Sequence, residues 1–247
     1  MMMNALTTNF VKRLRDGDDA AWYELWQIFG PVLHHQLTKW GRGQIGQETV
    51  RDLSQETLAA LSKSIDRYDP SRGARFSTWL LSIGRHVLGD EMDRRNALKR
   101  GGGTRAASLD ESFMGRAAAA EADAEYERSV FRAKVYAAIR RVEQESDFLA
   151  FQVYRMRVFD GISGKGVAEQ LGISEPTVSR HLQKIRIALR THLSEVMATY
   201  SFTEEEAREA EEAGLSREDD TLFDDALADI HHQQMQLKID GDGTGRF

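Results

Sequence analysis

The sequence predicts an all-α protein with two helical domains, a flexible linker and an acidic C-terminal extension. Apolar residues recur at helical spacing through most of residues 8–95 and 128–197, and strand-type alternation is scarce. Only three prolines occur in 247 residues, so few positions would interrupt a helix. Three consecutive glycines, Gly101 to Gly103, lie among small residues between the two helical blocks, which predicts a linker there.

These patterns divide the chain into four segments. We predict helical domains over residues 1–97 and 128–197, a linker over 98–127, and an acidic extension over 198–247. Two domains of this size bury a core without a metal or disulfide, so no cofactor is expected. The absence of cysteine excludes disulfides, cysteine–zinc ligation and a thiol nucleophile.

Charge is unevenly distributed along the chain. Residues 200–247 contain 14 Asp and Glu against 4 Lys and Arg, whereas residues 1–199 contain 25 against 29. A basic body indicates contact with nucleic acid. The acidic extension has two open interpretations: a solvated or disordered tail, or a segment that folds over a basic DNA-binding face. An amphipathic patch supports the second interpretation, and it comprises Leu222, Phe223, Ala226, Leu227 and Ile230.

No apolar run is long enough to cross a bilayer, and the N-terminus shows no secretory signal. We therefore expect a cytoplasmic protein without membrane insertion. No Ser-His-Asp arrangement, paired buried carboxylates or metal-ligand spacing is recognisable, so we predict neither an enzyme nor a metal site. A nucleic-acid-processing enzyme would need such clustered residues.

A helix with two distinct faces is predicted around residues 50–65. Val50, Leu53, Thr57 and Leu61 form its buried stripe. Three acceptor-rich side chains gather on the other side, and they are Asp52, Gln55 and Glu56. The spacing alone leaves open whether that face is solvated or bound by a partner.

The next segment combines a turn with a basic helix. Pro70 and Gly73 predict the turn, and Phe76 and Trp79 begin the buried face of a helix that reaches about Arg95. Residues 71–105 contain eight Lys and Arg against three Asp and Glu, enough to attract phosphate backbones. Aromatic side chains near such a surface either pack in the core or stack on unpaired bases.

The segments DLSQET and DRYDPSRGARFSTWLLSIGRHVLGDEMDRR resemble region 2 of extracytoplasmic-function (ECF) sigma factors, which belong to the sigma-70 family. The resemblance implies that Asp52, Gln55 and Glu56 bind the coiled coil of the polymerase beta-prime subunit. It also implies that the turn and the following helix melt the minus-ten element and bind its non-template strand. The implied residues are Tyr68, Asp69, Arg72, Arg75, Ser82, Arg85, His86, Asp90, Arg94 and Arg95. His86 stands where the family usually has Asn.

A helix-turn-helix is predicted near the end of the second domain. Gly172 suits the tight turn, Ser174 is the predicted N-cap, and Pro176 lies in the first turn of the second helix. Val178, Leu182, Ile185 and Leu189 would face the core, so the intervening polar residues face solvent or DNA. Many transcription regulators share this motif, including response-regulator output domains.

The order along the chain resembles that of ECF sigma factors, in which region 4 follows region 2 after a linker. The resemblance implies recognition of the minus-thirty-five element, although Arg180 stands one place earlier than the family's arginine. The implied residues are Ser174, Glu175, Thr177, Ser179, Arg180, His181, Gln183, Lys184 and Arg186. Some of these are expected to contact phosphate only, which positions the domain without reading bases.

The predicted function is that of an RNA polymerase sigma factor, which directs promoter recognition, promoter melting and transcription initiation. The implied partners are the bacterial core polymerase, through its beta-prime and beta subunits, and promoter DNA; the family also allows an anti-sigma factor. The alternative is a helix-turn-helix regulator that binds duplex DNA but is not a polymerase specificity subunit. The face formed by Asp52, Gln55 and Glu56 discriminates between them, because such a regulator has no use for it.

Overall fold

A computed structural model describes residues 5–69, 75–99 and 124–242, and within these ranges every regular element is helical. The chain forms two compact units, Met1–Val130 and Phe131–Phe247. These features confirm the all-helical, two-domain prediction. Most of the predicted linker, residues 100–123, lies outside the described residues, whereas its two ends belong to helices.

The first unit contains four helices and the beginning of a fifth. They are α1 (Ala5–Arg15), α2 (Asp19–Gly41), α3 (Gln47–Ser64), α4 (Phe76–Lys99) and the first residues of α5 (Ala124–Glu145). A single 3-10 turn, Ile65–Arg67, follows α3. The Asp18 carboxylate caps α2 by accepting hydrogen bonds from the amides of Ala20 and Ala21, which have no partner within the helix.

The core of the first unit forms where α2, α3 and α4 pack against one another. The predicted stripe of α3 is buried: Val50, Leu53, Thr57 and Leu61 are at most 2% exposed. A side chain at Gly84 of α4 would bring a Cβ atom within 3.0 Å of Leu33, so a glycine there allows α4 to approach α2 closely.

The second unit contains the rest of α5 and five further helices. They are α6 (Phe148–Tyr154), α7 (Gly164–Leu171), α8 (Glu175–Tyr200), α9 (Glu204–Glu212) and α10 (Asp220–Asp242). A widened π-helical segment, Arg155–Phe159, follows α6. Apolar side chains of α5, α6 and α8 form the core, among them Val135, Ile139, Val153, Ile185 and Leu189.

Within the described residues, the acidic extension is folded and contributes to the core of the second unit. Phe223 and Leu227 of α10 are fully buried, and Ile230 is 9% exposed. Leu222, from the same predicted patch, is instead exposed. The solvated-tail interpretation of the sequence therefore does not hold for residues 198–236, whose burial the structure describes.

The structure also bears on membrane association. Within residues 5–69, 75–99 and 124–242, no helix is both long enough and apolar enough to span a bilayer.

Candidate nucleic-acid and polymerase interface

The outer face of α3 presents three acceptor-rich side chains. Asp52, Gln55 and Glu56 are exposed, whereas Leu53 and Thr57, on the other face of the helix, are buried. The Thr57 hydroxyl donates a 2.7 Å hydrogen bond to the Leu53 carbonyl oxygen, so this inward polar group is satisfied within the helix. The structure brings the three predicted polymerase-binding residues together on one accessible helical surface.

The aromatic residues around the predicted minus-ten site form a buried cluster. Tyr68 is 3% exposed, its ring stacks on Trp79 with centroids 5.0 Å apart, and Phe76 meets it edge-on at 5.2 Å. Arg15 donates a 2.7 Å hydrogen bond to the Tyr68 carbonyl oxygen. The Tyr68 ring, which the resemblance assigns to DNA, therefore packs in the core, because aromatic stacking and burial favour that position.

Two further members of the minus-ten set differ in exposure, and a third is not among the described residues. Ser82 is buried, and its hydroxyl donates to the Trp79 carbonyl oxygen at 2.6 Å. Asp69 is exposed, and Arg72 lies outside the described residues. Only Asp69 among these three has its side chain at the described surface.

Arg75 is held at the N-terminus of α4 by an acidic residue of α5. The Glu127 carboxylate accepts hydrogen bonds from the hydroxyls of Ser77 and Thr78, and Arg75 lies 3.3 Å from the same carboxylate. A carboxylate is favourable there because the first turn of a helix has free amides and a partial positive charge. The Arg75 guanidinium, which the resemblance assigns to DNA, is therefore bound by Glu127.

The middle of α4 carries one exposed and two partly exposed members of the minus-ten set, and these are Arg85, His86 and Asp90. The Arg85 guanidinium lies 4.7 Å from the centre of the Trp40 ring, a cation–π contact that leaves the residue exposed. His86 Nε2 lies 3.4 Å from the Asp90 carboxylate one turn further along. These three members of the minus-ten set lie within two turns of one another.

The end of α4 contains an ion-paired cluster around Glu91. Arg94 and Arg95 donate to its carboxylate at 2.7 and 2.6 Å, and Arg95 also donates to the Thr49 hydroxyl. Burial alone would raise the pKa of Glu91, but the hydrogen bonds from the two arginines outweigh burial and lower it below its usual range. Arg95 therefore links α4 to α3, while Arg94 is 72% exposed.

The helix-turn-helix consists of α7, a tight turn and α8. The Ser163 hydroxyl caps α7, and Gly172 ends it in the left-handed conformation, with φ of 65°. A residue with a Cβ atom would be strained there, which explains why glycine suits this turn. Ser174 precedes α8, but its hydroxyl contacts the Thr177 hydroxyl at 2.9 Å rather than a backbone amide.

The predicted inward face of α8 is buried, since Val178, Leu182, Ile185 and Leu189 are at most 8% exposed. The N-terminal half of its other face is accessible. Arg180 donates to the Thr177 hydroxyl at 3.1 Å and remains exposed. The exposed members of the minus-thirty-five set are Ser174, Glu175, Ser179, Arg180, Gln183 and Lys184, and the partly exposed ones are Thr177 and His181.

Arg186 differs from the rest of that set because the extension binds it. Its guanidinium donates to the Asp224 carboxylate at 2.6 Å and to the Asp220 carboxylate at 3.1 Å. Burial alone would lower the pKa of Arg186, but the hydrogen bond to Asp224 and the charges of both aspartates raise it. Tyr154 also donates a 2.9 Å hydrogen bond to Asp224, and burial raises the pKa of its phenol well above the usual value.

Several residues at these surfaces were not singled out from the sequence. Trp40, Glu127, Asp220 and Asp224 each contact a predicted DNA-binding arginine. The excess of acids after residue 199 was a usable signal for Asp220 and Asp224. No comparable local signal marked Glu127 or Trp40, since their contacts join distant parts of the chain.

Two helical units, one with a helix-turn-helix whose basic recognition helix is accessible, define a DNA-binding protein of the transcription class. The family model described as ECF sigma factor matches residues 4–195. The chain therefore belongs to the ECF sigma factor family, whose members act in transcription initiation, bind RNA polymerase core and promoter DNA, and are not enzymes. A search of curated proteins gave no match to the chain.

Proposed function

We propose that the chain docks on the polymerase beta-prime subunit through α3, melts and binds the minus-ten element with its first unit, and reads the minus-thirty-five element with α8. The observation that carries this proposal is the accessible face formed by Asp52, Gln55 and Glu56. A helix-turn-helix regulator that never joins the polymerase has no need of it.

The second unit supports the duplex-reading part of the proposal. Arg180, Gln183 and Lys184 are exposed in the first three turns of α8, the part of a recognition helix that enters the major groove. Arg and Lys side chains pair with guanine acceptors, and Gln pairs with adenine. Replacing one of them should relax specificity at individual bases, whereas a phosphate contact should affect all sequences alike.

The first unit supports the single-strand part. Arg85, His86 and Asp90 lie close together along α4, the Arg85 guanidinium contacts the partly exposed Trp40 ring, and Arg94 extends the basic surface. A groove with positive charge and aromatic side chains suits a melted strand. Because Tyr68 and Ser82 are buried, we assign the contacts to Arg85, His86, Asp90 and Arg94 first.

Run-off transcription with purified bacterial core polymerase on fragmented genomic DNA tests the proposal. The wild-type chain should produce discrete starts, and the variant Asp52→Ala/Gln55→Ala/Glu56→Ala should lose them while keeping its helical content. A matched control, Glu218→Ala/Asp229→Ala/Gln233→Ala, removes the same residue types from exposed positions of the second unit and should retain the starts.

Two results would contradict the proposal. If both triple variants transcribe as the wild type does, α3 is not the docking face. If the wild type binds duplex DNA but gives no starts with the core enzyme, the chain acts as a helix-turn-helix regulator instead.

A further inference from the structure

Two arginines on α8 point to a second role for the acidic extension. Arg186 and Arg190 lie one turn apart, so they share one side of α8, beyond the accessible recognition residues. Their side chains are only 18% and 29% exposed. Both lie next to α10, which is outside the residues that match the family.

The extension binds the Arg186 guanidinium through two carboxylates. Its Nε and one terminal nitrogen donate to Asp224 at 3.1 and 2.6 Å, and the other terminal nitrogen donates to Asp220 at 3.1 Å. The Asp224 side chain is held in place by the Tyr154 hydroxyl at 2.9 Å. All three nitrogens of this arginine therefore donate to the extension.

Arg190 is held by the same segment in a different way. It donates to the Asp220 carboxylate at 3.2 Å and to the carbonyl oxygens of Arg217 and Glu218. Its guanidinium also lies 4.2 Å from the centre of the Phe223 ring, which is fully buried. Polar and cation–π contacts thus fix its position together.

A carboxylate and a DNA phosphate compete for the same guanidinium. Arginine binds either anion through a planar fork of N–H donors, so the donors that bind the aspartates are not available to a phosphate. The accessible end of α8 is different, because Arg180, Gln183 and Lys184 remain exposed. The extension therefore removes phosphate-binding capacity without covering the base-reading end.

We infer that Asp220 and Asp224 act as an intrachain competitor for DNA phosphates and weaken the sequence-independent part of promoter binding. This inference rests on the proposed reading of duplex DNA by α8. Because the competitor leaves base contacts untouched, it lowers affinity for all sequences and leaves the preference among promoters unchanged. The excess negative charge of residues 200–247 acts in the same direction.

The salt dependence of promoter binding tests the inference. The protein is assembled with core polymerase, and its affinity for a promoter fragment found by run-off transcription is measured between 50 and 200 mM salt. The variant Asp220→Asn/Asp224→Asn frees two arginines, so its affinity should fall about tenfold more than that of the wild type across this range, since each phosphate contact adds about 0.9 to the logarithmic slope.

Three further variants make the result specific. Asp225→Asn removes a charge from an exposed position next to Asp224 and should keep the wild-type slope. Adding Arg186→Ala/Arg190→Ala to the double Asn variant should abolish the gain. Asp220→Asn alone perturbs a half-exposed carboxylate, and should give about half of the gain even if loss of Asp224 impairs folding.

The outcomes separate this inference from the proposed function. An unchanged slope in folded Asn variants, with the wild type binding and transcribing normally, would overturn the inference alone. If the wild-type holoenzyme does not bind or transcribe any fragment, the proposed function fails, and this inference fails with it.

Discussion

The two units differ in where their buried or half-buried charges find partners. In the first unit, Glu91 is bound by Arg94 and Arg95 of the same helix, all within the residues that match the family. In the second unit, Lys134 and Arg186 are bound by Glu206 and by two aspartates of the extension. These charges of the first unit are therefore paired within the family-matched region, whereas those of the second unit depend on the extension for their partners.

Truncation after Tyr200 should have the largest effect and should act on the second unit only. It removes five buried apolar side chains, each worth about 1.5–3 kcal/mol, from a unit whose total stability is on the order of 5–15 kcal/mol. These are Phe202, Leu215, Phe223, Leu227 and Ile230. Hydrogen exchange read by mass spectrometry should show lost protection in α5–α8 and unchanged protection in α2–α4. A chain ending at Asp242 is the control; retained protection after truncation would show that the second unit is stable without the extension.

The buried pair of Lys134 and Glu206 gives the next largest effect. Their side chains are 0% and 1% exposed and 3.1 Å apart, and the Glu206 carboxylate also accepts hydrogen bonds from the amides of Phe202 and Thr203. Glu206→Ala leaves a buried ammonium without its counter-charge, which should cost about 3–5 kcal/mol in the free energy of unfolding. Urea unfolding followed by circular dichroism measures this loss.

Two variants sharpen that measurement. Adding Lys134→Met to Glu206→Ala should recover part of the loss, because no buried charge remains unpaired. Glu212→Ala, at an exposed position of the same helix, should change the unfolding free energy by less than about 0.5 kcal/mol. Equal losses for Glu206→Ala and Glu212→Ala would show that the pair does not attach α9.

In the first unit, Glu91→Gln should have a smaller effect, about 1–3 kcal/mol, because Arg94 and Arg95 retain a neutral acceptor. The pKa of Glu91 is lowered in the folded protein, so its contribution is fully present above the unfolded value of about 4.3 and is lost as pH falls through the folded pKa. The Gln variant should therefore show a shallower loss of stability below pH of about 4.3. Urea midpoints measured across that range test this, and an unchanged slope would contradict it.

His34 should give the smallest effect. Burial lowers its pKa, with a hydrogen bond to Gln47 acting in the opposite direction, so the folded protein binds a proton less readily than the unfolded chain. Stability should fall slightly as pH drops below about 6.5, the unfolded value. His34→Gln should reduce this slope between pH values of about 7.5 and 5.5, and the exposed His35→Gln should not. Equal slopes for all three proteins would show that His34 does not contribute to the pH dependence of stability.

Local periodicity predicted the helices and their buried faces well. The stripes of α3 and α8 are buried as expected, because a helix of period 3.6 leaves one orientation in which Val50 or Ile185 can avoid water. The turn at Gly172 was also predictable, since its positive φ requires glycine. Such features depend on neighbours a few residues apart.

Partners of the charged residues could not be predicted in the same way. Asp224 follows Arg186 by 38 residues, and Glu206 follows Lys134 by 72. The sequence gives the charge of each residue but not which distant residues are close in space. The acidic character of the extension suggested a basic partner, but not which arginine. Tyr68 shows the same limit, because its polar and apolar parts suit both a DNA surface and an aromatic core.

The buried Lys134–Glu206 contact also has a consequence for the order of events during synthesis. Domains form from the N-terminus as the ribosome adds about 5–20 residues per second, so the first unit can fold while the second is still being made. Lys134 must wait for a carboxylate that emerges 72 residues later. We expect nascent chains stalled when residues up to Tyr200 have left the exit tunnel to protect α2–α4 from protease but to leave α5–α8 open. Under the proposed function, duplex reading by α8 would then begin only after α9 has been synthesised.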